Sequence, residues 1–163
     1  MSASPEPLPH APIGMVLGLL EHLREVPEGS EDLYKLGRPL GYELDDLLPV
    51  TDAAKRLGLV RISSGDIQLT EDGRRLAGAE EPERKRHIRG CLMELPLVAE
   101  IRKTLEERSE GRAAKKEFAE RLRKHFSAAE AERQISTALD WARYGEVFDF
   151  DPDTEEFFLA PPD

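Results

Sequence analysis

A mainly α fold with small β-hairpins, of the α+β class, follows from three features of the sequence. Apolar residues recur at helical spacing through most of the chain. Strict alternation is confined to two short stretches, each directly after a helix-ending glycine. A helix–glycine–ribbon unit also occurs twice, with Gly58 and Gly145 separated by 87 residues and Leu69 and Leu159 by 90. The clearest copy lies in residues 57–73, LGLVRISSGDIQLTEDG. Gly58 supplies the left-handed residue that often ends a helix. Val60 and Ile62 alternate with Arg61 and Ser63, Ser64-Gly65 makes a tight turn, and Ile67 and Leu69 alternate on the way back. Three helices leading into such a hairpin predict a winged helix, and two copies predict tandem winged-helix units joined by a helical connector.

The elements are justified in order. Residues 1–11 are rich in Pro and Ser and predict a disordered tail. A first unit is expected over 12–80. Its first helix spans 13–26, with Ile13, Val16, Leu17, Leu20 and Leu23 on one face, and Pro27 and Gly29 stop it. Ser30 is the expected N-cap of a short second helix carrying Leu33, Leu36 and Leu40 inward. A third helix lies within 43–57, with an apolar stripe of Leu44, Leu47, Leu48, Ala54 and Leu57. Pro49 either kinks it or marks its true first turn.

Thr70 caps a mostly helical stretch over 70–108, interrupted at Pro82 and Pro96. The connector is expected over 81–95 and the second unit over 96–160, with Ser109-Glu110-Gly111 as a linker. Phe118, Leu122 and Phe126 share one helix face. Ser127 caps the next helix at capping-box spacing from Glu130, and that helix turns Ile135, Ala138, Leu139 and Ala142 inward. Phe148 and Phe150 begin the second ribbon, and Asp151-Pro152-Asp153-Thr154 is its turn.

Composition bounds the function. The 163 residues fit one domain or two small ones. No apolar run is long enough to span a membrane, so membrane insertion is not expected. The start of the chain has no signal-peptide pattern, and a single cysteine, Cys91, fits a reducing cytoplasm. The net charge of −10 is segregated. Residues 1–83 balance at −8, residues 84–125 at +6 and residues 126–163 at −8. A basic middle between acidic ends can fold back, form a homodimer or meet a charged partner; equally, these charges can simply solvate amphipathic helices.

Winged helices commonly bind DNA, with the N-terminal residues of the third helix at the bases. Here those positions hold Glu43, Asp45 and Asp46 in the first copy, and Glu130 and Glu132 in the second. The second ribbon holds Asp149, Asp151, Asp153, Glu155 and Glu156. These carboxylates repel phosphate, so direct DNA binding through either face is disfavoured. A DNA-binding transcriptional regulator using the basic segment Arg84, Lys85, Arg86 and Arg89 is the alternative function. As a helix face, that segment is also plain surface or an ion-pairing partner. Trp141 and Tyr144 share a turn and either seal the two halves together or face a partner. These six residues are the candidate interaction surface.

No catalytic residue, cofactor site or metal site is predicted. His10, His22, His87 and His125 are scattered, as ordinary surface histidines are. Cys91 lies among Ile88, Leu92 and Leu95 and is expected to be a buried structural thiol. Counting from Asp149, the EF-hand positions for Gly and Glu hold Thr154 and Ala160, and the chain has no P-loop motif.

Four stretches also carry a family likeness: LPHAPIGMVLGLLEHL, GYELDDLLPVTDAAKRLGLVRISSGDIQLTEDGRRLA, ERKRHIRGCLMELPLVAEIRKTLEE and LDWARYGEVFDFDPDTEEFFL. Through them the chain resembles the AAA-associated C-terminal domain that follows the ATP-binding cassette in ATPase subunits of nitrate/sulfonate/taurine-type ABC importers. The likeness runs from about residue 8 to residue 159. Its most telling pieces are Asp45-Asp46-Leu47-Leu48-Pro49, Gly65-Asp66-Ile67-Gln68-Leu69-Thr70 and Trp141-Ala142-Arg143-Tyr144-Gly145-Glu146. It implies a non-catalytic regulatory module that works by protein contact, with an ABC transporter ATPase subunit as partner. No catalytic residue carries over. The sequence departs from the usual setting in lacking the cassette, so ATP binding does not transfer. Met1 and the Pro-rich start favour a free-standing product over a fragment.

Overall fold

The computed structural model describes residues 6–159. Residues 1–5 of the expected tail, and the last residue of the expected 96–160 unit, lie outside the described residues. Helix takes 58% of the described residues and the strands form two three-stranded antiparallel sheets, which makes this an α+β protein. The chain divides into two compact units. One is Pro9–His87; the other is Ile88 onward together with the N-terminal residues as far as Leu8.

In the Pro9–His87 unit, α1 (Ile13–Glu25) buries Ile13, Val16, Leu17, Leu19, Leu20 and Leu23. A short 3-10 turn at Pro27–Gly29 leads into β1 (Ser30–Asp32), then α2 (Gly37–Leu40) and α3 (Leu44–Arg56). The hairpin is β2 (Val60–Ser63) and β3 (Asp66–Leu69). Its turn residues Ser64 and Gly65 both have positive φ, 51° and 82°. That mirror-image turn matches the right-handed strand twist. α4 (Glu71–Ala77) follows, its N-cap Thr70 accepting a hydrogen bond from the Gly73 N–H at 3.0 Å. Pro49 stands inside α3, where it has no N–H for the Asp45 carbonyl.

Ser30 corrects the sequence reading. It does not cap a helix but opens an edge strand, pairing with Gln68, while Glu31 pairs with Ile67. The sheet order is therefore β1-β3-β2, with Ile67 fully buried in the central strand. The second helix shrinks to four residues, and only Leu36 of its three predicted apolar positions is fully buried.

α5 (Glu81–Leu92) contains the division between the units. The second unit continues with α6 (Pro96–Glu107), β4 (Arg112–Ala114), α7 (Lys115–Leu122) and α8 (Ala128–Tyr144). The ribbon is β5 (Asp149–Asp151) and β6 (Glu156–Phe158), and the sheet order β4-β6-β5 repeats that of the first unit. Phe157 is fully buried in the central strand, with Phe148, Phe150 and Phe118 at 5.3, 5.5 and 5.8 Å between ring centroids. Such tilted and edge-on pairs are the favoured aromatic geometry. Ser127 caps α8 by accepting from the Glu130 N–H at 3.1 Å.

Both units run helix, strand, helix, helix, strand, strand. The equivalence at the helix ends is shifted from the expected one. Leu57 and Gly145 are the final right-handed residues, and the left-handed residue is Gly58 in one unit but Glu146 (φ 59°) in the other. The two glycines are thus not counterparts. A Cβ on Gly145 would lie 3.2 Å from Leu92 Cδ1 and 3.3 Å from Arg89 Cα, so Gly145 is required by the close passage of α5.

The disordered tail needs correction from residue 6 onward. Leu8 is buried, its N–H donates to Gln134 Oε1 at 2.8 Å, and its carbonyl accepts from Gln134 Nε2 at 3.2 Å. Pro-rich composition does not reveal a tether to a residue 126 positions away.

Candidate interaction surfaces

The basic segment lies on α5, and its arginines are largely consumed by helix ends. A helix leaves its last carbonyls without intrahelical partners. Arg84 Nε donates to the Leu76 carbonyl at 3.1 Å and a terminal nitrogen donates to Ala77 O at 2.8 Å, closing the end of α4. The same guanidinium meets Glu21 at 3.2 Å, and its side chain is only 11% exposed. Arg89 Nε donates to Gly145 O at 2.7 Å and a terminal nitrogen meets Glu146 at 3.3 Å, closing the end of α8. Arg102 adds a third donor there, to Val147 O at 2.6 Å. Lys85 is half-buried and Arg86 exposed. Within the second unit the fold therefore brings Arg89 against the turn after Tyr144.

Trp141 is fully buried and cannot meet a partner, which corrects its place in the candidate surface; an indole of this size is inside because α8 turns it to the core. Tyr144 is half-buried. Cys91 is half-buried rather than fully enclosed. His87 also departs from a plain surface histidine: Arg75 donates to its Nδ1 at 3.0 Å, and its Nε2 is buried with no hydrogen-bond partner. Among the described residues no group of three or more His, Cys, Asp and Glu could hold a metal ion.

The acidic faces differ between the units. In the second, most carboxylates are held by cations. Glu132 meets Lys115 at 2.9 Å, and Asp149 accepts from Arg143 at 2.8 Å. Arg112 spans the ribbon, donating to Asp151 at 2.7 Å, Glu156 at 2.9 Å and Thr154 at 3.1 Å, with its guanidinium 5.3 Å from the Phe158 ring centroid. Asp151 is held below the ordinary carboxylate range, first by the Asp153 backbone N–H and then by Arg112. Arg108 does the same for Glu117, through a two-pronged contact at 2.7 and 3.1 Å. In the first unit, Glu43, Asp45, Asp46 and Asp52 along α3 are all exposed, and none has a cationic partner among the described residues. Sequence reasoning found the acidic positions. It missed this contrast, because the compensating Lys115, Arg112 and Arg143 reach their partners only in the folded unit.

One concavity of the second unit lies beside α7, lined by Lys115, Lys116, Arg123, Glu120, Glu132 and Glu155, with a volume near 430 Å³. Its charges are of both signs and Lys115 is already paired, so it has no selective field for an anion.

What the molecule presents, then, is an α+β protein of two small units whose distinctive features are surfaces. The C-terminal AAA-associated domain model matches residues 34–151, and the chain belongs to that family. This is an accessory domain of ABC-type ATPases, not a catalytic one. Nothing among curated proteins or among solved structures matches the chain. No helix of the described residues is long and apolar enough to cross a membrane.

Proposed function

We propose that the chain is a non-catalytic, cytoplasmic regulatory module that binds the ATPase subunit of a nitrate/sulfonate/taurine-type ABC importer. In this reading each unit is a winged helix, with α3 and α8 as the third helices and the two ribbons as wings. The observation that carries it is the set of exposed carboxylates Glu43, Asp45, Asp46 and Asp52 at α3, none with a cationic partner among the described residues, in a chain that belongs to an ATPase-associated family. A face of that sign suits a protein surface and repels a polyanion.

The basic segment supports the same reading. Arg84 and Arg89 are engaged with helix-end carbonyls and Lys85 and Tyr144 are half-buried, so of the candidate residues Arg86 is the exposed one. The test is to mix the purified chain with a purified cassette subunit, follow complex formation by sedimentation, and measure ATP hydrolysis. A complex with an altered hydrolysis rate is expected. No complex and an unchanged rate would refute the proposal, and a salt-sensitive gel shift with duplex DNA would favour the transcriptional regulator instead.

A further inference from the structure

We infer that the solvent-facing stripe of α3, centred on Leu44 and Leu48, is the docking surface for a basic amphipathic helix of the partner ATPase subunit, which rests on the reading above for the partner's identity. Leu44 and Leu48 are 46% and 39% exposed and lie one turn apart on the same helix face. An apolar pair held in water on a regular helix needs a reason, since nothing in the helix period requires it.

The second unit supplies the control. Aligning the ends of α3 and α8 at Leu57 and Gly145 makes Leu47 equivalent to Ile135, Val50 to Ala138 and Ala54 to Ala142, all buried. On the same alignment Leu44 corresponds to Glu132 and Leu48 to Ser136. The architecture is thus built a second time with polar residues at both outward positions, so the leucines are not demanded by folding.

The charge around them chooses the occupant. Asp45 and Asp52 border the leucines, Glu43 and Asp46 add exposed carboxylates around the first turn, and the cations of the helix, Lys55 and Arg56, are confined to its last turn. The helix dipole accounts for carboxylates in the first turn, at Asp45 and Asp46. It accounts for neither Asp52, two turns on, nor the leucines. An apolar strip bordered by exposed carboxylates that no cation contacts among the described residues is complementary to a helix with a leucine-like face bordered by Lys and Arg.

The test titrates the isotope-labelled full chain with a short amphipathic peptide of Leu and Lys, and with the same peptide carrying Glu for Lys. Backbone resonances of α3 are expected to shift with the Lys peptide and not with the Glu peptide. Leu44→Glu with Leu48→Ser, the residues of the second unit, should weaken binding at least about tenfold with far-UV circular dichroism unchanged. Asp52→Lys, which leaves both leucines in place, should also weaken it. Shifts centred on α8, or affinity indifferent to both variants, would overturn the proposal. So would a wild-type dimer that the leucine substitutions convert to monomer, because the occupant would then be a second copy of the chain. The cassette subunit separates the two readings. Equal capture of it by wild type and the double variant overturns this surface and leaves the regulatory role standing. Leucine-dependent peptide binding without cassette capture supports the surface and removes the role.

Discussion

Replacing Gly73 by Ala should destabilise the first unit, against the usual sign for a helical glycine. Gly73 is buried in α4, one turn after the Thr70 cap. In an ordinary helix interior the added methyl stabilises by about 1 kcal/mol. At this position a Cβ would overlap the carbonyl oxygen of Leu59, approach its carbonyl carbon to 2.9 Å and meet Leu69 Cδ2 at 3.2 Å. The obstacle is backbone, so no side-chain rotation relieves it. Overpacking of this kind costs roughly 1–3 kcal/mol. The same Leu59 oxygen accepts from the Thr70 N–H at 3.0 Å, and moving it forfeits about 1 kcal/mol more. The balance is a net loss of about 1–3 kcal/mol, or a melting temperature lower by roughly 2–4 °C per kcal/mol for a chain of this size. Gly90 in α5 is the control. A Cβ there meets nothing within 4 Å, so Gly90→Ala should stabilise by about 0.5–1 kcal/mol. Urea unfolding followed by circular dichroism reads both, fitted as two transitions if the units melt separately. A Gly73→Ala protein as stable as wild type would refute the reasoning.

The other expectations concern cations at helix ends and the acid side of the pH range. Arg84→Ala removes two donors from the carbonyls at the end of α4 and should cost about 1–3 kcal/mol by the same assay, while Arg86→Ala, at an exposed position, should fall within about 0.5 kcal/mol of wild type. Arg89→Ala should shift the unfolding of the second unit, because Gly145 O loses a charged donor; an unchanged transition would show that water replaces it. Asp151 is depressed below its ordinary value of 3.8, so the unfolded chain takes up its proton first as the pH falls. The stabilisation it contributes is complete above that value and is lost as the pH drops through the lower folded one. Asp151→Asn should therefore be less stable than wild type at neutral pH and converge with it in acid, with parallel curves contradicting the assignment.

The sequence carries the signals that are local. Thr70 and Ser127 announce helix starts by their own side chains, and Pro96 stands at the first turn of α6 as its missing N–H permits. The edge strands Ser30–Asp32 and Arg112–Ala114 do not announce themselves, for they are three residues long and carry no alternating apolar set. They exist because β3 and β6 offer open edges, and Ser30 therefore resembles a helix cap until its distant partner Gln68 is known. Gly145 failed as a marker for a similar reason. Its small size serves α5, while the left-handed turn falls on Glu146. At the surface, the basic residues Arg84 and Arg89 were legible as a cluster, but their carbonyl acceptors were not, because those acceptors sit at the far ends of other helices. The same holds for Trp141, whose burial depends on which way α8 faces.

The clasp between Leu8 and Gln134 has a consequence for how this molecule can be dissected. Gln134 is buried, and two of its hydrogen bonds are to the backbone of a residue 126 positions earlier in the chain. A fragment that begins at the division within α5 would carry α8 with that carboxamide stripped of both bonds, at about 1–3 kcal/mol for the lost partners. On the ribosome, Leu8 must likewise wait for the whole Pro9–His87 unit and more to emerge before its mate arrives. One unit is thus closed by a segment that the whole of the other unit separates from it along the chain.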